Sequence, residues 1–225
     1  MTELRNLIQI GGLTINLYGI VFASAFIALF FLARNFLSRK NKNPNLAYSA
    51  VIYSALGMLV FARLFYVVFY APSYFLSNPL EIFAVWTGGL SFYGGLLGVS
   101  LFGLIFCRKN KISFLEIADF IAIPALFFFI IGRVANFLNG EIPGIDSFPV
   151  PLYDALKNAV ILITLVIIKQ KPRKQGIVFL TFVFLYSFLR IFVDFFRADG
   201  LLASQILNLT ACIVSAYFLI RTISK

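Results

Sequence analysis

The sequence predicts an all-α polytopic membrane protein of about seven transmembrane helices, N-terminus outside and C-terminus inside. Three observations carry this. The chain is 61% hydrophobic and only 12% charged, against roughly 25% charged in a soluble domain. Its 225 residues divide into apolar runs of about 20 residues, the length that crosses a bilayer core. Its lysines and arginines fall in alternate connections, as the positive-inside rule requires. No length remains for a separate soluble domain, so residues 1–225 read as a single transmembrane domain.

Residues 1–16 form a short outer segment. Met1–Leu17 has no basic region ahead of an apolar core and no small-residue cleavage site, so it does not read as a signal peptide. Leu7–Leu17 alternates loosely around Gly11-Gly12, which fits a small hairpin or an interfacial segment. Span one covers about 17–37. Span two covers about 46–70, with Pro44 in the loop before it. Ala71–Val85 holds Pro72, Pro79 and Glu81 and no basic residue, and reads as a loop. Span three covers about 86–106 and is rich in glycine. Ser113-Phe114-Leu115-Glu116 is a capping-box pattern that opens span four, about 114–138. Asn139–Pro151 is a short acidic loop. Spans five, six and seven cover about 152–168, 176–196 and 201–220.

Loops one–two, three–four and five–six and the C-terminal tail hold thirteen of the nineteen basic residues. The +10 net charge is thus a topology signal and calls for no nucleic acid. Histidine is absent, which excludes His-ligated metals and His-based triads. Cys107 and Cys212 lie in or beside apolar runs without partner spacing and read as packing residues. No cofactor or metal is expected.

Several polar residues do not belong in lipid. Arg63 lies in span two, Arg133 in span four, Arg190 in span six and Arg197 at the end of span six. Three lipid-exposed arginines would cost roughly 8–10 kcal/mol, so they must face inward. Tyr186, Arg190, Asp194 and Arg197 form one helical stripe, and Gly132, Arg133, Asn136 and Gly140 form another. Spans four and six exit on the same side, so the two stripes are level and can form one polar chamber open to the outer leaflet. A purely structural alternative pairs Asp194 with Arg190 or Arg197, and Glu141 with Arg133. Four arginines against two acids leave surplus positive charge, which suits an anion, and the guanidinium fork matches phosphate. In Gly88–Gly98, five of eleven residues are glycine. They allow close helix packing through Gly94-xxx-Gly98, or an irregular backbone that lines a cavity. The residues alone therefore predict a cationic chamber for a phosphate-bearing amphiphile. They leave open an enzyme or a transporter of anionic lipid.

Gly132-Arg133-xx-Asn136-Phe137-x-Asn139-Gly140-Glu141-xx-Gly144 resembles the signature of the phosphatidylglycerol–prolipoprotein diacylglyceryl transferase family. Tyr18-Gly19, Ala62–Tyr66, Gly88–Gly95, Leu152-Tyr153-Asp154 and Tyr186–Arg197 resemble further motifs of that family, in order along the chain. The resemblance implies a multi-pass enzyme of the bacterial inner membrane, with its active site facing the outer leaflet. Such an enzyme moves the diacylglyceryl group of phosphatidylglycerol to the lipobox cysteine of a prolipoprotein signal peptide. Its products are a thioether and glycerol phosphate. Arg133 and Arg190 match the family's essential arginines. Tyr18, Asn136, Glu141, Gly144, Tyr186, Asp194 and Arg197 match other functional positions. Tyr93 stands where histidine is frequent, beside Gly94 and Gly95, and Asp194 and Asp154 stand where glutamate is usual. Catalytic roles are thus expected of Arg133, Arg190, Tyr93, Asn136 and Glu141. Substrate-binding roles are expected of Tyr18, Arg63, Gly94, Gly95, Gly144, Tyr186, Asp194 and Arg197. A family member that binds lipid without catalysis is a further reading, motivated by the missing histidine and a chain short for the family.

Overall fold

A computed structural model describes residues 8–10, 13–15, 17–142, 144–198 and 202–224. Two three-residue strands, β1 (Ile8–Ile10) and β2 (Leu13–Ile15), pair antiparallel with Ile8 opposite Ile15. This is the small hairpin expected around Gly11-Gly12. Eight helices follow: α1 Leu17–Arg39, α2 Leu46–Phe69, α3 Pro72–Ser77, α4 Phe92–Lys109, α5 Phe114–Leu138, α6 Val150–Lys169, α7 Ile177–Asp194 and α8 Leu202–Ser224. Among the described residues, six of them (α2, α4, α5, α6, α7 and α8) are long and apolar enough to cross a membrane. Their exposed surfaces are studded with large apolar side chains such as Ile52, Phe69, Phe127, Ile163 and Ile213. In water such a surface would drive aggregation, so lipid must cover it. The chain is an all-α polytopic membrane protein.

The chain forms two compact units. One contains residues 28–114. Here α2 and α4 cross at Gly57 and Gly98, where a Cβ on Gly57 would lie 2.5 Å from the Gly98 carbonyl oxygen. Only glycine allows backbones this close. Phe61 and Tyr53 close the crossing edge-on against Phe102. Ala33 and Leu37 of α1 are buried against Ala47 of α2, with Ile112 packed alongside.

Span three was expected to start near residue 86, but α4 starts at Phe92. The cause is local. Gly88 and Gly89 take positive φ angles of 89° and 67°, which end the preceding 3-10 turns (Pro79–Phe83, Val85–Thr87). Ser91 then caps α4, its hydroxyl accepting from the Gly94 N–H at 3.5 Å. The expected loop 71–85 is also more ordered than its prolines suggest. It holds α3, and the Tyr74 hydroxyl donates to the Glu81 carboxylate at 2.5 Å. That bond is the main reason the Tyr74 phenol has a pKa above its ordinary value.

The other unit contains residues 1–27 and 115–225. Its apolar centre is Ala122 and Leu126 of α5, Ile161 and Leu165 of α6, and Val178 of α7. Asp119 of α5 fixes the start of α7, its carboxylate accepting the N–H groups of Gly176 (2.8 Å) and Phe179 (2.7 Å). The first N–H groups of a helix have no partner within it, so one carboxylate from a neighbour sets where α7 begins and ties α5 to α7.

Candidate functional site

The end of α5 builds the first part of the site. Gly140 takes a φ of 66°, and the Gly140 and Glu141 N–H groups donate back to the carbonyls of Phe137 and Asn136. This is a Schellman closure, which favours glycine at the left-handed position. It turns Glu141 back toward its own helix. The Glu141 carboxylate accepts from the side-chain amides of Asn136 (2.6 Å) and Asn139 (3.2 Å). The Asn136 side-chain oxygen, Oδ1, accepts from Arg133 Nη1 at 3.4 Å. Asn136 therefore links the arginine to the glutamate, which fixes its amide orientation.

Asp154 of α6 is the hub. It is fully buried. Arg133 Nε reaches Asp154 Oδ2 at 2.7 Å, Lys157 Nζ reaches Oδ1 at 2.6 Å, and Arg190 Nη1 also pairs with Oδ2. Burying a lone carboxylate costs several kcal/mol; three cations from α5, α6 and α7 repay it here. The Lys157 ammonium lies 3.9 Å from the centre of the Tyr186 ring, a cation–π contact. Arg190 Nε pairs with Asp194 Oδ1 at 2.8 Å, one helical turn on. Asp194 Oδ2 accepts from Ser204 Oγ (2.7 Å) and Asn208 Nδ2 (3.2 Å) of α8. Ser204, Asn208 and Ser215 are the buried side chains among those described on α8, and all three are polar.

In this ion-paired cluster, Arg133, Lys157 and Arg190 face Asp154 and Asp194, which leaves one positive charge in excess. Arg133 is the open side, with 19% of its side chain exposed against 6% or less for the others. The geometry suits the approach of an anion to Arg133, with Arg190 held beside it by the shared carboxylate.

Gly144 and Arg197 meet through the backbone as an isolated antiparallel bridge, and Ile145 N–H donates to the Phe196 carbonyl at 3.0 Å. A Cβ on Gly144 would lie 2.9 Å from Val150 Cγ2 and press on the Phe148 carbonyl. The loop after α5 can therefore lie against the end of α7 only with glycine there. Arg197 was expected to continue the α7 stripe. The helix ends at Asp194, so Arg197 instead belongs to this bridge.

Other expectations resolve differently. Arg63 is buried in α2 and spends its donors on backbone carbonyls: Nε on Ile82, Nη1 on Gly88 and Gly89, Nη2 on Glu81 and Ala84. All five of its N–H groups are accounted for, so it organises the segment before α4. Gly94 and Gly95 lie within helical backbone against Ala62 and Met58 of α2; they serve packing and expose no anion-binding N–H. The irregular backbone expected of this stretch is confined to Gly88 and Gly89. Tyr93 is half-buried at the start of α4. The Tyr18 side chain lies outside the described residues. Of the two pairings in the purely structural alternative, Asp194 does pair with Arg190, whereas Arg133 pairs with Asp154, and Asn136 stands between Arg133 and Glu141.

Two site residues were missed as such. Asp154 entered only through a motif, and Lys157 was given no role. Their signal was present: opposite charges at i and i+3 inside an apolar span. Asn158, one turn after Asp154, is fully buried with no hydrogen-bond partner for either amide atom among the described residues. Buried polar groups without partners call for an explanation in ligand or strain.

Comparison with known proteins identifies the family. The profile of the prolipoprotein diacylglyceryl transferase family matches residues 5–221. The phosphatidylglycerol–prolipoprotein diacylglyceryl transferase of Geobacter sulfurreducens is 38% identical, across 87% of this chain and 84% of that protein. The protein of the same name from Bordetella avium is 37% identical, with the same coverage of 87% and 84%. That from Chromohalobacter salexigens is 31% identical across 84% of this chain and 78% of that protein. With the match running over nearly the whole chain and through every segment that builds the cluster, the chain belongs to the prolipoprotein diacylglyceryl transferase family.

Proposed function

We propose that this chain transfers the diacylglyceryl group of phosphatidylglycerol to the lipobox cysteine thiol of a prolipoprotein, the first step of lipoprotein maturation. The observation that carries this reading is the pairing of Arg133 and Arg190 on Asp154 Oδ2. Two guanidinium groups from different helices are held side by side, in a cluster with excess positive charge. That is a seat for a phosphate.

The thiolate sulfur attacks the glyceryl carbon that carries the phosphate ester. A C–S bond forms and the C–O bond breaks. Its electron pair stays on the phosphate oxygen, which leaves as glycerol phosphate and takes up the proton given by the thiol, directly or through water. Charge develops on that oxygen in the transition state. Arginines aimed at it in a low-dielectric site stabilise it without reorganising. In this reading Arg133 and Arg190 clamp the phosphate and Arg197 assists. Asn136 holds Arg133 and Glu141 in register, and Tyr18 orients the headgroup. Tyr93 positions the substrate; a tyrosine's ordinary pKa near 10 makes it a poor base. A free cysteine, pKa about 8.5, already has some thiolate at neutral pH, so no strong base is needed.

The same reading makes α1 the seventh span. It places the N-terminus outside and the cluster toward the outer leaflet of the bacterial inner membrane, where lipid and signal peptide meet. The deciding experiment combines purified protein, phosphatidylglycerol labelled in its lipid glycerol and acyl chains, and a lipobox peptide. Mass spectrometry should show the diacylglyceryl thioether and released glycerol phosphate. Lipid binding without either product would refute the reading.

A further inference from the structure

The segment between α2 and α4 has an unusual distribution of polar and apolar groups. Residues 71–91 carry one charge, Glu81. Among the described residues their large apolar side chains are the most exposed: Leu76 84%, Leu80 83%, Trp86 81% and Phe83 75%. Neither α3, at six residues, nor the two 3-10 turns is long enough to span a bilayer. The segment leaves from the end of one span and returns at the start of the next, so it lies at one membrane face.

Its backbone shows which medium it meets. The 3-10 turns and the positive-φ glycines leave carbonyls outside any α-helical ladder. In water, solvent would satisfy them. Here the buried Arg63 supplies all five of its N–H groups to five carbonyls of this one segment, at 2.5 to 3.2 Å. Its guanidinium also lies 5.0 Å from the centre of the Phe75 ring of α3. A Cβ on Gly89 would be 2.8 Å from Arg63 Nη1, so the glycine is what lets the backbone come within reach. Irregular backbone at membrane depth is tolerated only where its polar groups find partners inside the protein.

We propose that residues 76–86 are embedded in the leaflet at the boundary of headgroups and acyl chains, with Arg63 replacing water for the segment's backbone. Leu76, Leu80, Phe83 and Trp86 enter the chains, about 5–10 Å deep, as the apolar face of an interfacial helix does. Glu81, bonded to Tyr74, stays at headgroup level. The occupant of this surface is lipid. A second copy of the chain or a bound peptide would be an alternative cover. This inference is independent of the transferase reading.

The chain holds a single tryptophan, Trp86, which makes the test direct. The wild-type protein is reconstituted in phosphatidylcholine–phosphatidylglycerol vesicles and the Trp86 emission recorded. Phospholipids brominated near the headgroup end of the chains should quench it strongly, those brominated near the chain end less, and aqueous acrylamide several-fold less than it quenches free tryptophan. Efficient quenching by acrylamide with none by brominated lipid would place the segment in water and overturn the proposal. Quenching by neither would show a protein cover and overturn it too. Arg63→Lys reduces five donors to three. It should raise acrylamide quenching and lower brominated-lipid quenching; unchanged values would overturn the role given to Arg63. Should Arg63→Lys fail to fold, Phe83→Ser, at an exposed position, should shift the two quenchers in the same directions, and no shift would count against embedding.

Discussion

Replacing Asp154 by asparagine keeps the volume of the side chain and removes its charge. Three cations lose their common partner. Removing one member of a buried ion pair costs about 3–5 kcal/mol, and the three partners share that cost unequally. Arg190 keeps Asp194 at 2.8 Å. Lys157 can shed its proton, which arginine cannot, and so limits its share. Arg133 loses its ion-pair partner and keeps the 3.4 Å contact to Asn136, so it moves most. A misplacement of about 1 Å at a reacting group costs about a hundredfold in rate. Asp154→Asn should therefore lower thioether formation by about that factor and lower the thermal midpoint measured in phosphatidylcholine micelles. Added phosphatidylglycerol should restore more of the midpoint in the variant than in the wild type, because its phosphate supplies the missing anion between Arg133 and Arg190. Wild-type transfer together with a wild-type midpoint would refute the idea that Asp154 holds the two arginines in place.

Arg133→Ala and Arg190→Ala should each reduce transfer by at least about 10²–10³-fold, the usual loss for one donor to a developing oxyanion, in protein that still inserts; normal turnover in either would remove the clamp. Asn208→Ala leaves Asp194 Oδ2 with Ser204 and should cost about 1–3 kcal/mol. If Asp194 orients Arg190, kcat should fall more than KM changes, and Asn208→Gln should recover part of the rate; a change in stability with kcat intact would mean that the contact only packs α8. Asn158→Leu removes a buried amide that lacks partners, so the thermal midpoint should rise while transfer falls; unimpaired transfer would take Asn158 out of the site. Gly57→Val places a side chain within 2.5 Å of the Gly98 carbonyl and should prevent α2 and α4 from packing, read as loss of monodisperse protein in detergent.

The helices were legible in the sequence because hydrocarbon allows few alternatives. An apolar run of about 20 residues bounded by lysine and arginine can do little else. Arg133 and Arg190 were legible for the same reason: an arginine inside such a run must be met by something. What met them was not. Asp154 stood as the third residue of the expected span 152–168; proline suits the first turn of a helix, so α6 starts at Val150, and no spacing in the sequence pairs Asp154 with Arg133 or Arg190. Arg63 resembled the other two arginines in spacing and burial. Its partners are backbone carbonyls 18 to 26 residues away, and a sequence pattern does not display carbonyls. Glycine was ambiguous in the same way: Gly94 and Gly98 pack a helix, whereas Gly88 and Gly89 break one, and the difference lies in φ angles set by Ser91 and Arg63.

The polar underside of α8 bears on the order in which the protein is assembled. Ser204, Asn208 and Ser215 are the buried side chains among those described on α8, and Ser204 and Asn208 hold the carboxylate of Asp194. This helix also follows α7 in the chain, so it leaves the ribosome after Asp194 does. Until it docks, Asp194 in the bilayer lacks those two donors, and its bond to Arg190 has nothing behind it. The Arg190–Asp194 pair is thus braced only once α8 has been made and inserted. A chain that stops short of α8 would hold Arg190 and Asp194 without the two donors that brace them, so α8 is needed to finish the cluster that α5, α6 and α7 begin.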